Sequence, residues 1–355
     1  MDKLSLTLTM IVKNESQHLD RCLKSVVHLV DELVIVDTGS TDNTKEIALG
    51  YGAKVFDYVW SHNFSDARNF ALQQSTGDWN LVLDADEYVV EASREEVERV
   101  IQSQPCVGRI RRIDAFKQGG EIKESHVWIT RLLPKGTFYE GKIHEQPVSE
   151  LARVNTHFKI YHDGYLNQNK SERNIQLLRE AVAENPADPY LLFQLAKEYR
   201  MINKHDRAEI YFERFYAQKP GDANYLPMAI VDFLYNIIAN KNFERGLSII
   251  EEQSGYLAAY PDFFFVQGLL YTEMVFSDTN KYIQYFARIE QAYQDCLRIG
   301  DTEVSDSVRG TGSFYAAYNL GVFYEMSGKV SEAKRCYELS LQDGYKLAAQ
   351  RLAKL

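Results

Sequence analysis

The chain has 355 residues, of which 45% are hydrophobic and 12% aromatic, and this supplies core material for about two domains. The formal net charge of -10 argues against nucleic acid as a partner, because an acidic protein repels phosphate groups. No apolar run approaches the length of a transmembrane helix, and residues 1–3 lead into a strand pattern without the features of a signal peptide. We therefore expect a cytoplasmic protein that neither spans a membrane nor binds nucleic acid.

The first part of the chain alternates between strand and helix patterns. Residues 6–12 are apolar and β-branched, which predicts a strand. Apolar positions spaced by three and four between Leu19 and Val26 predict a helix with one buried face, capped by Asn14 or Ser16. Strands that alternate with helices indicate a largely parallel sheet, which binds ligands at the carboxyl ends of its strands. Further strands are predicted at residues 32–36, 54–56 and 79–83, and further helices at 45–51 and 65–74.

Acidic side chains directly follow two of these strands. Asp84 and Asp86 come at the end of the apolar run 79–83, and Asp37 follows the run 32–36. Two carboxylates at the carboxyl tip of a buried strand allow an open α/β sheet to place a divalent cation beside a ligand. The pair suggests a metal-dependent nucleotide-sugar enzyme, whereas a lone Asp-x-Asp would more often be a pair of solvated loop acids.

Four motifs in this part of the chain resemble those of the family 2 glycosyltransferases, which have the GT-A fold. They are MIVKNE at residues 10–15, VDTGSTDNT at 36–44, FSDARN at 64–69 and LDADE at 83–87. Two later segments, GKIHEQP at 141–147 and YHDGY at 161–165, together with the helical tail, resemble the bacteriocin (glycocin) S-glycosyltransferases. Those enzymes attach a sugar to a cysteine of a ribosomally made precursor peptide.

The resemblance implies a nucleotide site built from the first three motifs. The backbone around Val12, Lys13 and Asn14 would flank the base of a UDP-sugar, and Asp37 would accept hydrogen bonds from the uracil or the ribose. A turn or helix cap is the structural alternative for Asp37, and both roles can coexist. Arg68 has a rigid fork of donors suited to a uracil carbonyl or a phosphate, with a structural salt bridge as its alternative.

The resemblance also implies a metal site for Mg²⁺ or Mn²⁺. Asp86 would bind the cation directly, and Asp84 would reach the ribose or contact the metal through water. His162 stands where similar enzymes bring a late ligand to the metal or the diphosphate, although a lone histidine is more often structural. Its neighbour Asp163 could orient the imidazole ring.

An inverting transfer needs a general base opposite the departing diphosphate. Glu145 is the preferred candidate, with His144 as an acceptor or phosphate contact, on a polar turn closed by Pro147. An unperturbed cysteine thiol has a pKa of about 8.5, so its deprotonation needs little assistance from a base. The competing interpretation is a structural salt bridge from Glu145 to Arg131 or Lys142.

Residues 109–135 lie where the family varies its acceptor site. His126, Trp128 and Arg131 could line a sugar or peptide cleft, because an aromatic face stacks on the C–H surface of a pyranose. Residues 127–133 are also compatible with one more strand. The pair Gly119-Gly120 suggests a hairpin turn or a mobile loop nearby.

From about residue 169 the strand signals end and helical patterns continue to the carboxyl terminus. Ala208 follows Leu195 by the same thirteen residues that separate Ala333 from Leu320, which supports two tetratricopeptide-like helix pairs. Small residues let paired helices approach, and aromatic residues fill the gap between them. The tail could be a stabilising cap, a dimerisation surface or a peptide-binding surface.

Together these patterns predict an α/β GT-A domain at residues 1–168, with a mostly parallel sheet, and an all-α tetratricopeptide-like domain at 169–355. The expected enzyme moves a hexose, with UDP-glucose as preferred donor, to a cysteine, or to a serine, of a bacteriocin precursor peptide. A homodimer through the helical domain is expected. The alternatives are a soluble family 2 enzyme acting on cell-surface glycans or hydroxyls of another protein, and an interaction protein with an inactive transferase domain.

Overall fold

The computed structural model describes residues 4–103, 105–118, 120–164, 171–219, 221, 223–303 and 305–355. The chain forms two compact units, Met1–Glu184 and Asn185–Leu355. The predicted boundary between residues 168 and 169 falls outside the described residues, and the helix that follows it belongs to the first unit.

The first unit is built from a mixed sheet and helices. The strands are β1 Leu6–Val12, β2 Glu32–Asp37, β3 Lys54–Asp57, β4 Trp79–Val82, β5 Glu87–Glu91, β6 Cys106–Gln118, β7 Glu121–Pro134, β8 Phe138–Glu140, β9 Gln146–Val148 and β10 Ala152–His162. The helices are α1 Leu19–Val26, α2 Thr44–Gly50, α3 Phe64–Gln74, α4 Arg94–Ser103 and α5 Ser171–Glu184.

The sheet runs in the order β3-β2-β1-β4-β7-β6-β10-β5. Strands β1 to β4 are mutually parallel, as predicted from the alternation of strands and helices. Strand β7 is antiparallel to both β4 and β6, whereas β10 is parallel to β6 and antiparallel to β5. The carboxyl ends of β1, β2 and β4 therefore lie side by side at one edge of the sheet.

The strands and helices predicted for residues 6–83 are all present, and each end lies within one residue of its predicted position, except that α1 starts later than its predicted caps imply. Both faces of β1 are covered, and α1 buries the apolar face on which its prediction rested, formed by Leu19, Cys22, Leu23 and Val26. The predicted cap of α1 is wrong. The N-cap residue is His18, whose side chain forms no capping hydrogen bond. The Asn14 side chain does not cap the helix and accepts a hydrogen bond from the backbone N–H of Thr41.

The second unit is built from helices that follow one another closely. They are α6 Pro189–Met201, α7 His205–Gln218, α8 Leu226–Asn240, α9 Phe243–Gln253, α10 Pro261–Ser277, α11 Thr279–Tyr282, α12 Phe286–Ile299, α13 Phe314–Met326, α14 Val330–Gln342 and α15 Lys346–Leu352, with a short strand β11 Ser307–Val308 before α13. The part of the chain that the structure describes contains no helix with both the length and the apolar character needed to cross a membrane.

The two helix pairs predicted from the repeat pattern are α6 with α7 and α13 with α14. Three small residues of these pairs, Ala196, Ala208 and Ala333, are fully buried. At Gly321 an added Cβ would lie 2.6 Å from Cε1 of Tyr337, so the glycine lets this ring pack against the backbone of α13. The predicted division between small and aromatic positions is confirmed at this contact.

Gly321→Ala is expected to lower the free energy of unfolding by about 1–3 kcal/mol, because the methyl group overpacks a buried contact. The Tyr337 ring is fully buried, and its hydroxyl donates to Glu325 Oε2 at 2.6 Å, so it has little room to move. Urea unfolding followed by circular dichroism measures the change. Gly50→Ala is the control, since a Cβ there meets nothing within 4 Å. Equal stability of the two variants would contradict this packing account.

Candidate active site

Asp37 is the last residue of β2, and its two carboxylate oxygens have different surroundings. Oδ1 accepts hydrogen bonds from the backbone N–H groups of Gly39 at 2.9 Å and Ser40 at 2.8 Å, which is the turn role foreseen as the structural alternative. Oδ2 is buried and has no hydrogen-bond partner among the described residues. Because buried polar atoms are normally paired, Oδ2 suits an N–H or O–H donor of a ligand.

The loop after β1 is tied to the loop after β2. The backbone N–H of Asn14 donates to Ser40 Oγ at 2.9 Å, and the backbone N–H of Thr38 donates to the carbonyl of Val12 at 2.9 Å. Asn14 has a positive φ of 56°, which turns the chain sharply. The structure thus brings Val12 and Asn14 close to the loop that follows Asp37, and it leaves Lys13 exposed between them.

Arg68 projects from α3 and joins two carboxylates. Its Nη2 donates to Asp84 Oδ1 at 2.7 Å, and its Nε donates to Glu145 Oε1. Burial alone would lower the pKa of the Arg68 guanidinium, but Asp84 and Glu145 outweigh burial and raise this pKa above its usual range. Nη1 is buried without a hydrogen-bond partner in the described part of the chain, so one arm of the fork can serve a ligand.

Arg131 binds the other carboxylate oxygen of Asp84. Its Nη2 donates to Asp84 Oδ2 at 2.7 Å. The register between β6 and β7 passes from Gly108 opposite Leu132 to Arg109 opposite Thr130, so Arg131 is an extra residue in the ladder, as in a bulge. Burial would raise the pKa of Asp84, but Arg131 and Arg68 hold it well below its usual range.

Glu87 is a site residue that the sequence analysis missed. It is 1% exposed, and its Oε2 accepts the backbone N–H of Asp84 at 2.9 Å. Its Oε1 lies 3.4 Å from Nη2 of Arg131 and 3.4 Å from Nη1 of Arg112. The available signal was the acid at the end of the LDADE motif, which is the first residue of strand β5.

Asp86 and His162 are adjacent, as the resemblance implied. The distance from His162 Nε2 to Asp86 Oδ2 is 3.5 Å, and His162 Nδ1 lies 2.7 Å from Asp114 Oδ1. Burial lowers the pKa of His162, but the hydrogen bonds with Asp114 and Asp86 outweigh burial and raise it to about 9. The prediction that Asp163 orients the ring is wrong, since Asp163 forms a bidentate ion pair with Arg21 at 2.7 and 2.8 Å.

The residues present fit a divalent cation. A carboxylate oxygen and an imidazole nitrogen converge beside Gly164, where an added Cβ would lie 2.2 Å from Asp86 Oδ2 and 2.8 Å from His162 Nε2. The described residues contain no group of three or more metal-ligating side chains, so two protein ligands would leave positions for phosphate oxygens and water. Mn²⁺ accepts oxygen and imidazole ligands, whereas Mg²⁺ is usually bound by oxygen alone.

Gly164→Ala is expected to weaken Mn²⁺ binding at least about tenfold, because the methyl group would occupy the space between the two proposed ligands. Titration of Mn²⁺ followed by electron paramagnetic resonance measures the affinity directly. Gly255→Ala provides a control, since a Cβ at Gly255 meets nothing within 4 Å. Unchanged affinity in the Gly164 variant would show that the cation does not bind between Asp86 and His162.

His144 and Glu145 lie in the turn between the paired strands β8 and β9, and Pro147 is part of β9. His144 has a positive φ of 51°. The partner of Glu145 is Arg68, so the salt bridges foreseen with Arg131 or Lys142 are both wrong. The base role of Glu145 and the acceptor role of His144 stay predictions.

The predicted acceptor residues are divided between two surroundings. Arg131 is 8% exposed and lies among the carboxylates. His126 and Trp128 lie two residues apart on β7, on the same face of the strand. The Trp128 ring is 5.1 Å from the Arg111 guanidinium and 6.0 Å from that of Arg109. Their contact with an acceptor stays a prediction.

Comparison with known proteins relates the first unit to a known family. Residues 7–156 match the family model described as Glycosyl transferase family 2. A TPR repeat-containing protein of Synechococcus elongatus is 33% identical over 209 residues, which cover 54% of this chain and 51% of that protein. The SPbeta prophage-derived glycosyltransferase SunS of Bacillus subtilis is 28% identical over 231 residues, which cover 60% of this chain and 53% of SunS.

Among solved structures, the crystal structure of MamA aligns with a TM-score of 0.39 at 17% identity, covering 54% of this chain and 99% of MamA. The chain spans about half the length of the curated relatives it matches.

Proposed function

Since residues 7–156 form a family 2 glycosyltransferase domain, we propose that the protein transfers a hexose from a UDP-sugar to a cysteine side chain of a bacteriocin precursor peptide, with inversion. Glucose is the preferred sugar and serine the second acceptor. The cysteine acceptor rests on the two segments at 141–147 and 161–165 that resemble the bacteriocin S-glycosyltransferases. The homodimer and the cytoplasmic location stay predictions.

One arrangement carries the proposal. Asp86, which lies 3.5 Å from His162, comes two residues after Asp84, a carboxylate held by two arginines. This part of the chain follows β4 at the edge of the sheet where Asp37 also ends its strand. A nucleotide diphosphate sugar presents a base, a ribose and two phosphates in sequence. Donors and acceptors for each of these groups are therefore available along one edge of the sheet.

The chain's own residues would bind and orient the donor. Asp37 Oδ2 would accept from the uracil N–H or a ribose hydroxyl, and Arg68 Nη1 would donate to a uracil carbonyl or a phosphate oxygen. Asp86 and His162 would hold Mn²⁺ or Mg²⁺, which when bound neutralises charge on the departing diphosphate. Asp84, fixed by Arg68 and Arg131, would stay ionised and accept from the ribose.

Glu145 would take the proton of the acceptor thiol as sulfur attacks the anomeric carbon. The ion pair with Arg68 fixes the orientation of the Glu145 carboxylate through Oε1. Because an unperturbed thiol titrates at about pH 8.5, a carboxylate at hydrogen-bond distance is sufficient assistance. The carbon–sulfur bond forms as the bond from the anomeric carbon to the diphosphate oxygen breaks, and UDP leaves with the electron pair.

Intact-mass spectrometry of a cysteine-containing precursor peptide, incubated with the protein, Mn²⁺ and a panel of UDP-sugars, tests the proposal. A hexose increment that maps to cysteine and disappears in the Cys→Ala peptide would support S-glycosylation and identify the donor. UDP release with hydroxyl acceptors alone would support glycosyltransferase activity and would exclude the peptide cysteine as the acceptor. Absence of UDP release under every condition would favour an interaction protein with an inactive domain.

A further inference from the structure

Asp114 lies beside His162 across two neighbouring parallel strands. The register of β6 and β10 places the two residues opposite each other, and both are 7% exposed. The contact of Asp114 Oδ1 with His162 Nδ1, at 2.7 Å, engages the ring nitrogen that faces away from Asp86. Since the two nitrogens lie on opposite sides of the imidazole, a bond at Nδ1 fixes the direction of Nε2.

Asp114 is itself held in place by the half-buried Arg112. Nη2 of Arg112 donates to Asp114 Oδ2 at 3.1 Å, and Nη1 of the same guanidinium lies 3.4 Å from Glu87 Oε1. These contacts hold the Asp114 carboxylate between the guanidinium of Arg112 and the imidazole of His162.

These contacts join both halves of the candidate site. From Glu87 the chain of ion pairs continues through Arg131 to Asp84 and then through Arg68 to Glu145. The Asp114–Arg112 pair therefore connects the imidazole beside Asp86 to the carboxylates of Glu87, Asp84 and Glu145. A residue with this position acts on ligands only through its neighbours.

We propose that Asp114 is a positioning residue that fixes the His162 imidazole with Nε2 toward Asp86, and that Arg112 holds Asp114 for this task. The inference rests on the metal site of the proposed function. An imidazole whose second nitrogen is bonded to a carboxylate is oriented and more basic as a ligand, and loss of such a partner typically weakens metal binding about 10–100-fold. Asp163, the sequence neighbour of His162, has no part in this orientation because it is bound to Arg21.

Mn²⁺ titration followed by electron paramagnetic resonance, with UDP present, tests the proposal without requiring turnover. Asp114→Ala is expected to weaken Mn²⁺ binding about 10–100-fold. Asp114→Asn should recover most of the affinity, because an amide oxygen can still accept from Nδ1–H. Asp163→Asn is the matched control and should bind Mn²⁺ like the wild type. Thermal unfolding of each variant reports whether the chain remains folded.

The tautomer of His162 is a second readout that needs no change at Asp114. In ¹⁵N spectra of the wild-type chain with Mg²⁺ and UDP, assigned with His162→Gln, the proton is expected on Nδ1. A neutral ring with its proton on Nε2 and none on Nδ1, or equal Mn²⁺ affinity in folded Asp114→Ala and Asp163→Asn, would overturn the positioning role alone. Failure of the wild type to bind Mn²⁺ would overturn the metal site of the proposed function as well.

Discussion

Arg68→Met is expected to abolish hexose transfer and to lower the free energy of unfolding by about 3 kcal/mol. Methionine keeps the apolar stem of the side chain but leaves the Glu145 carboxylate without the guanidinium that pairs with it. Removing one partner of a buried ion pair typically costs about 3–5 kcal/mol, and the lower value is expected because Asp84 retains Arg131. Urea unfolding and transfer assays on the same preparation measure both effects.

Arg99→Met is the matched control for this loss of an arginine. The Arg99 side chain is 69% exposed, and its pair with Glu95 on α4 spans 3.7 Å, so its removal should cost well under about 1 kcal/mol. The double variant Arg68→Met with Glu145→Gln removes the unpaired carboxylate and should recover part of the stability without restoring transfer. A folded Arg68→Met protein with wild-type transfer would contradict the proposed donor site.

The order of the α/β region and the helical region could be predicted, because short sequence windows indicate which segments form strands and which form helices. The predicted family 2 glycosyltransferase domain followed by a tetratricopeptide-like helical region is confirmed. Helix α1, for example, shows its buried face within its own sequence window, in Leu19, Cys22, Leu23 and Val26. In the helical unit, the spacing of small and aromatic residues similarly indicates the contact of Gly321 with Tyr337.

Partners within the site could not be predicted, because they depend on register between distant strands. The contact between Asp114 and His162 joins residues 48 positions apart through the pairing of β6 with β10. Arg131 reaches Asp84 from a point where the ladder of β6 and β7 is irregular, and alternation along β7 gives no indication of that. Sequence proximity suggested Asp163 for His162, whereas strand pairing supplied Asp114.

Asp86→Asn is expected to reduce metal-dependent transfer by about 10³-fold or more, because a divalent cation contributes several kcal/mol to stabilising the departing diphosphate and each 1.36 kcal/mol is a tenfold change in rate. Asparagine keeps the shape of the side chain but removes the charge beside His162 Nε2. Transfer is measured as UDP release with Mn²⁺ over a range of concentrations. UDP should still bind, since Asp37 and Arg68 are unchanged.

The control for this variant is Asp78→Asn. Asp78 precedes the same strand β4 at its amino end, where it accepts hydrogen bonds from Ser5. Its loss should change stability modestly and leave transfer as in the wild type, because ligands bind at the opposite end of the strands. If chelation of all divalent cations leaves transfer undiminished, or if Asp86→Asn and Asp78→Asn transfer equally well, the reaction does not use a cation at Asp86. The charge on the diphosphate would then be balanced by the arginines that surround Asp84.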